Sequence, residues 1–211
     1  MKTKTTFGYA LFLLLIFIFT GPAAAQPSPG AMEQLRNDID EIVDILRTRG
    51  LDAEAKADRI AVLVKQRFDF EAMSRLVLAV HWRRASEEQK SRFADLFAGL
   101  LEANYRGRME DYISEYSDEH VEYGSETVRD GRALVETLLV TAAQEIPIHY
   151  KMRQKEREWL IYDVEIEGVS LVRIFRRTYD EIVRREGIEG LLTRMEEKIR
   201  GSKTAPAGGG S

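Results

Sequence analysis

The residues of this 211-residue chain whose types could do chemistry are few: three histidines, Ser170 in Gly168-Val169-Ser170-Leu171, and Asp69 in Phe68-Asp69-Phe70-Glu71. Histidine could serve as a general base or a metal ligand. His81, His120 and His149 stand far apart, with no His-Glu-x-x-His and no ligand spacing. Isolated histidines of this kind read as surface or hydrogen-bonded residues. A serine nucleophile needs a sharp Gly-x-Ser-x-Gly elbow and a base. Ser170 is flanked by apolar residues where the last strand passes into a helix, so capping explains it better. Asp69, between two aromatics, reads as a helix cap or as a charged partner for Arg75. Cysteine is absent, which excludes disulfides, thiol nucleophiles and thiolate metal sites together. There is no glycine loop that would hold a phosphate. What the chain supplies in quantity is apolar surface.

Leu35, Ile39, Ile42, Val43 and Leu46 keep the helical period, and Gly50 stops that helix. A second helix carries Ile60, Leu63 and Val64, and a third Phe70, Met73, Leu76, Val77 and Val80. Ser86 and Gln89 form a capping box. It opens the longest amphipathic stretch: Phe93, Leu96, Phe97, Leu100, Leu101, Tyr105, Met109, Tyr112 and Ile113. The period then changes to that of strands. Val121 and Tyr123 alternate with polar residues, Asp130-Gly131 signals a hairpin, and Ala133 to Val140 is mixed on both faces. Ile146, Ile148, Tyr150 and Met152 alternate strictly with Pro147, His149, Lys151 and Arg153. Pro147 implies an edge strand or a non-bonding position. After a charged turn, Trp159 to Ile166 is the last strand. Helical spacing returns with Val172, Phe175, Tyr179 and Ile182, is interrupted at Gly187, and resumes through Ile199. Helices, a meander of short-turned strands, then helices is an α+β arrangement.

The N-terminus reads as an export signal. Lys2 and Lys4 precede the apolar run Phe7 to Phe19; Gly21-Pro22 breaks it, and Ala23-Ala24-Ala25 offers a cleavage site. The run is shorter than the roughly 20 residues that span a bilayer, so cleavage near Ala25 is expected rather than an uncleaved anchor. With no cysteine after the signal, lipoprotein anchoring is excluded. Removing Lys2 and Lys4 leaves 29 basic against 35 acidic residues, a formal charge of -6. An acidic chain is a poor nucleic-acid partner. Residues 26–200 then form one domain, and 201–211, ending Ala205-Pro206-Ala207-Gly208-Gly209-Gly210-Ser211, form a low-complexity tail expected to be disordered.

Three segments resemble a known family. Phe68-Asp69-Phe70-Glu71-Ala72-Met73-Ser74-Arg75-Leu76-Val77-Leu78, with Trp82-Arg83 and Ser86 to Phe93, is the first. Trp159-Leu160-Ile161-Tyr162-Asp163-Val164-Glu165-Ile166-Glu167-Gly168-Val169-Ser170-Leu171 is the second, and Gly187-Ile188-Glu189-Gly190-Leu191 the third. Together they are similar to the MlaC family of periplasmic phospholipid carriers, over about Asp38 to Lys198. The resemblance implies helices packed around a strongly curved antiparallel sheet that encloses an apolar pocket. It also implies the partners: a phospholipid, an inner-membrane ABC transporter complex with its lipid-binding periplasmic subunit, and an outer-membrane lipoprotein-porin complex. A role in outer-membrane lipid asymmetry follows, with no cofactor and no catalysis. The family includes relatives associated with hopanoids.

On this reading the pocket is expected between the long helix and the sheet. Its candidate lining is Phe93, Phe97, Leu100, Leu101, Tyr105, Val121, Leu138, Val140, Ile146, Ile148, Met152, Trp159, Ile161, Val164, Val169 and Leu171, with the inward face of each strand taken from alternation. No dense cationic cluster is visible, so affinity is expected to follow the acyl chains more than the headgroup. Lys151, Arg153 or Arg173 could touch a phosphate, but a solvated surface explains them better. Two other classes stay open: an exported cone-fold enzyme with a small polar site, and a structural adaptor with a filled core.

Overall fold

Caps and turns set the element boundaries of the computed structural model, which describes residues 29–116 and 119–204, without the side chains at 105, 107–109, 111, 114–115 and 202–204. The expected signal segment and residues 205–211 lie outside the described residues. Helix α1 spans Ala31–Arg47, α2 Ala53–Arg67, α3 Phe70–Leu78 and α4 Glu87–Glu115, with one 3-10 turn at His81–Arg83. Strands β1 His120–Arg129, β2 Arg132–Val140, β3 Glu145–Lys155, β4 Glu158–Ile166 and the short β5 Val169–Ser170 follow, then α5 Leu171–Thr204. Helix α5 therefore continues four residues into the segment expected to be tail.

Asp52 caps α2 by accepting from Ala55 N at 2.8 Å. The capping box at α4 is formed as expected: Ser86 Oγ accepts from Gln89 N, and Gln89 Oε1 accepts from Ser86 N, both at 3.1 Å. Asp69 caps α3 through Ala72 N, but its cationic partner is Arg153 of β3, not Arg75. At the β1–β2 hairpin Asp130 and Gly131 both take positive φ, 50° and 69°, as a two-residue primed turn requires. Gly187, φ 74°, kinks α5 where the sequence signals a stop.

The five strands form one antiparallel meander in the order β1-β2-β3-β4-β5. β3 is therefore interior, and Pro147 sits at a non-bonding position. Its carbonyl accepts from Glu167 N at 2.9 Å, just past the last β3–β4 pair, Ile148 with Ile166. A residue's N–H and C=O point to the same side of a strand, so the missing donor faces that turn and not the β2 ladder. Bulges between Tyr123 and Glu126 and at Lys151/Met152 bend the sheet.

Three apolar clusters hold the molecule. α1 lies on one sheet face, burying Ala31 and Leu35 against Ala133, Val135, Met152, Trp159 and Ile161. Gln34 fixes its register: its side chain both donates to Trp159 O, at 2.8 Å, and accepts from Trp159 N, at 2.9 Å. α3, α4 and α5 pack together through Met73, Val77, Phe93, Phe97, Tyr179, Leu191 and Leu192. Arg176 of α5 donates twice to Leu76 O at the end of α3, and His81 Nε2 sits 2.8 Å from Asp180 Oδ1. The third cluster joins α1, α2 and α4 through Leu46, Ala57, Ile60 and Ile113.

The Asp163 to Ser170 segment welds the sheet to α5. Buried Asp163 accepts from Ser170 Oγ at 2.8 Å, from Val172 N at 3.1 Å and from Lys151 Nζ at 3.1 Å. Ser170 Oγ accepts from Arg173 N, so Ser170 is the cap of α5 that its position implied. Burial works against the Lys151 charge, but hydrogen bonds and charge from Asp163 and Glu165 outweigh it and keep its pKa above the ordinary lysine value.

Candidate functional site

Between the three clusters a cavity of about 560 Å³ stays unfilled, inside the range of about 300–1,000 Å³ usual for small-molecule sites. α2 forms one wall with Ala57, Ala61 and Val64, a helical spacing that turns small residues inward. Phe68 and Phe70 add two aromatic rings to the lining. They are held because the chain leaving α2 lies beside β4, where Asp69 N donates to Ile161 O at 2.8 Å. α4 gives the facing wall with Ala98, Leu101 and Tyr112. Val164 and Ile166 of β4, Val169 of β5, and Leu171 and Ile174 of α5 complete it. These last residues are placed by the Asp163–Ser170 weld.

The mouth is apolar on one side. Ile166 is 47% exposed, Val169 52%, Ile174 49% and Tyr112 38%, so most of the large exposed apolar side chains among the described residues gather at this one opening. Contiguous exposed apolar surface marks a binding or docking site. Burial raises the pKa of the Tyr112 hydroxyl, which is therefore neutral. The other side of the mouth is charged. Lys65 Nζ lies 2.6 Å from Glu102 Oε2, and Arg106 pairs with Asp58 and reaches toward Glu102 and Glu110. The hydrogen bond that Arg106 donates to Asp58 outweighs burial and holds the Arg106 pKa above its ordinary value. Among the described residues no three His, Asp or Glu side chains gather as a metal site would need. Among the described residues, the cavity wall holds no histidine, serine or aspartate.

Of the residues named from sequence, Leu101, Val164, Val169 and Leu171 are on this wall. Phe93, Phe97 and Leu100 are buried in the α3/α4/α5 cluster. Met152, Trp159 and Ile161 are buried under α1, with Ile148 packed beside them. Val121 and Ile146 share that sheet face, both paired with Leu139. Leu138 and Val140 do not: they pair with Pro147 and Glu145 on the opposite face, and the buried side chains of β2 are Ala133, Val135 and Thr137. Tyr105 is in α4, with its side chain outside the described set. The cations considered for phosphate are committed elsewhere: Lys151 to Asp163 and Glu165, Arg153 to Asp69, Arg173 to Gly168 O. Sequence reasoning missed the whole α2 wall and the rim residues Tyr112, Ile166 and Ile174. Val64 and Ile166 carried a periodic signal; Ala57, Ala61 and Ala98 carried none.

Known proteins resemble this chain in sequence and in fold. The family described as MlaC protein matches residues 36–197. The intermembrane phospholipid transport system binding protein MlaC of Haemophilus influenzae is 23% identical over 207 residues, covering 93% of this chain and 94% of that protein. The solved structure of a phospholipid-binding protein from Ralstonia solanacearum, in complex with a phospholipid, superposes with a TM-score of 0.72 at 18% identity, over 83% of this chain and all of that one. That likeness establishes the shared α+β fold, and the family match covers most of the described residues: the chain belongs to the MlaC family.

Proposed function

We propose that this protein is a soluble periplasmic carrier that takes up the acyl chains of a phospholipid in the α2/α4/β4 cavity and moves the lipid across an aqueous compartment. The observation that carries the reading is a hydrocarbon-walled cavity whose mouth exposes Ile166, Val169 and Ile174. Shielding ~30 methylenes from water is worth about 0.8 kcal/mol each, on the order of 24 kcal/mol. An unaccompanied diacyl lipid cannot cross water at a useful rate against that cost. A carrier needs a pocket comparable to the bilayer interior and needs no catalytic group. Its route runs between an outer-membrane lipoprotein-porin complex and the lipid-binding subunit of an inner-membrane ABC transporter, maintaining outer-membrane asymmetry. The export signal near Ala25 fits that address, and mass analysis of the secreted form should find a chain starting near Gln26.

The alternative of an apolar-lipid carrier, such as one for hopanoids, uses the same cavity. A transfer assay between vesicles separates the readings. With lipids of matched headgroup, transfer and affinity should weaken steadily as the acyl chains are shortened. Insensitivity to chain length, or tight binding of a rigid polycyclic lipid in preference to all diacyl lipids, would remove the phospholipid reading.

A further inference from the structure

Resting on the carrier reading of the cavity, we propose that the charged side of its mouth, formed by Lys65 and Asp58 of α2 with Glu102 and Arg106 of α4, is a headgroup subsite that selects zwitterionic lipids bearing a primary ammonium over anionic ones. Charges alternate along this edge. Lys65 Nζ is 2.6 Å from Glu102 Oε2; Arg106 Nη2 binds Asp58 and lies 3.7 Å from Glu102 Oε1, with Nη1 3.9 Å from Glu110 Oε1. Exposed ion pairs contribute at most about 1 kcal/mol each to stability, so a structural need does not account for five charged groups gathered at this point. Their location is informative. Lys65, Glu102 and Arg106 line an otherwise hydrocarbon cavity, and the opposite rim, Ile166, Val169 and Ile174, carries no charge. An amphiphile whose tails fill the cavity meets fixed charge on this side of the mouth.

Phosphate accepts hydrogen bonds and donates none, so it takes its bonds from Lys65 Nζ and the Arg106 guanidinium. In doing so it draws those cations from Glu102 and Asp58, whose carboxylates then lose partners at the edge of an apolar cavity. An ethanolamine ammonium carries three N–H donors and can re-pair them, so the headgroup inserts as a second ion pair within the ladder. A choline ammonium brings charge without N–H donors. A glycerol headgroup brings the phosphate charge with no compensation, onto an edge where, among the described residues, two cations already face three carboxylates. The expected order is ethanolamine, then choline, then glycerol.

The test is competitive loading of the delipidated full chain with phosphatidylethanolamine, phosphatidylcholine, phosphatidylglycerol and diacylglycerol of identical tails, at about 0.05 M and about 0.5 M salt. Ethanolamine should be favoured over glycerol by about three- to tenfold at low salt, with the gap shrinking at high salt. The pair Asp58→Asn and Glu102→Gln should erase or reverse that order, and Arg106→Gln should weaken every phospholipid relative to diacylglycerol. Asp58→Asn alone, at an exposed position, gives the same direction should the double variant melt early. Equal loading of all headgroups, a preference for glycerol in the unaltered protein, or ratios unchanged in the variants would overturn the subsite and leave the cavity reading standing. Failure of diacylglycerol and every phospholipid to load would instead overturn the carrier reading itself.

Discussion

Helix α4 has two apolar faces, and they meet opposite fates. One carries Phe93, Phe97 and Leu100 into α3 and α5, where the space is filled. Phe93 stacks on Phe97 at 5.8 Å, Phe97 meets Phe175 edge-on at 5.0 Å, and Phe93 meets Tyr179 edge-on at 5.9 Å. The other face carries Ala98 and Leu101 toward Ala57 and Ala61 of α2, and there a cavity remains. The two faces differ less in hydrophobicity than in volume. Aromatic rings close one interface to interior packing density, whereas the short side chains of alanines opposite alanines leave the space beside them unfilled. One interface is packed for stability and its neighbour is left unpacked, and under the proposed function that gap takes the cargo.

The contrast predicts effects that separate by location. Phe97→Ala, on the filled face, should cost about 3–5 kcal/mol in chemical denaturation. Asp163→Ala strips the buried anchor of Ser170, Val172 N and Lys151; a loss of about 2–3 kcal/mol is expected. Because it frees Leu171 and Ile174 as well, lipid retention should fall together with stability. Leu100→Trp overpacks a residue only 2% exposed and should cost about 1–3 kcal/mol, and Ile148→Trp should do the same beneath α1. Ala98→Phe, on the unfilled face, should change stability by less than about 1 kcal/mol while lowering lipid loading at least about tenfold. Ile174→Ser, on the half-exposed rim, should stay within about 0.5 kcal/mol of the parent and slow vesicle-to-vesicle transfer a few-fold. Were the filled-face and cavity-face variants to lose stability alike, the distinction between core and cavity would collapse.

Much of the frame was legible before any coordinates. Period and caps located α1 to α4, Asp130-Gly131 located the first hairpin, and strict alternation around Ile148 located β3. Strand parity was harder. Ala133 to Val140 is apolar on both faces, so Leu138 and Val140 could not be assigned a side from alternation. The bulges at Tyr123/Glu126 and Lys151/Met152 each break the simple alternation from one strand to the next. The cavity was least legible, since its decisive residues are small. Ala57, Ala61 and Ala98 add nothing to a hydrophobic pattern, and no periodic signal records the absence of a side chain. The residues that carried the strongest pattern, Phe93 and Phe97, belong to the interface that is filled.

Native mass spectrometry of the purified protein beside its Ala98→Phe variant, with organic extraction of whatever co-purifies, tests the central claim most directly. The account predicts that the parent carries a phospholipid mass which extraction recovers, and that the variant arrives largely empty and melts at nearly the temperature of the delipidated parent, because bound lipid stabilises only the folded form that holds it. A parent with no lipid, or a variant that carries as much lipid as the parent, would contradict it.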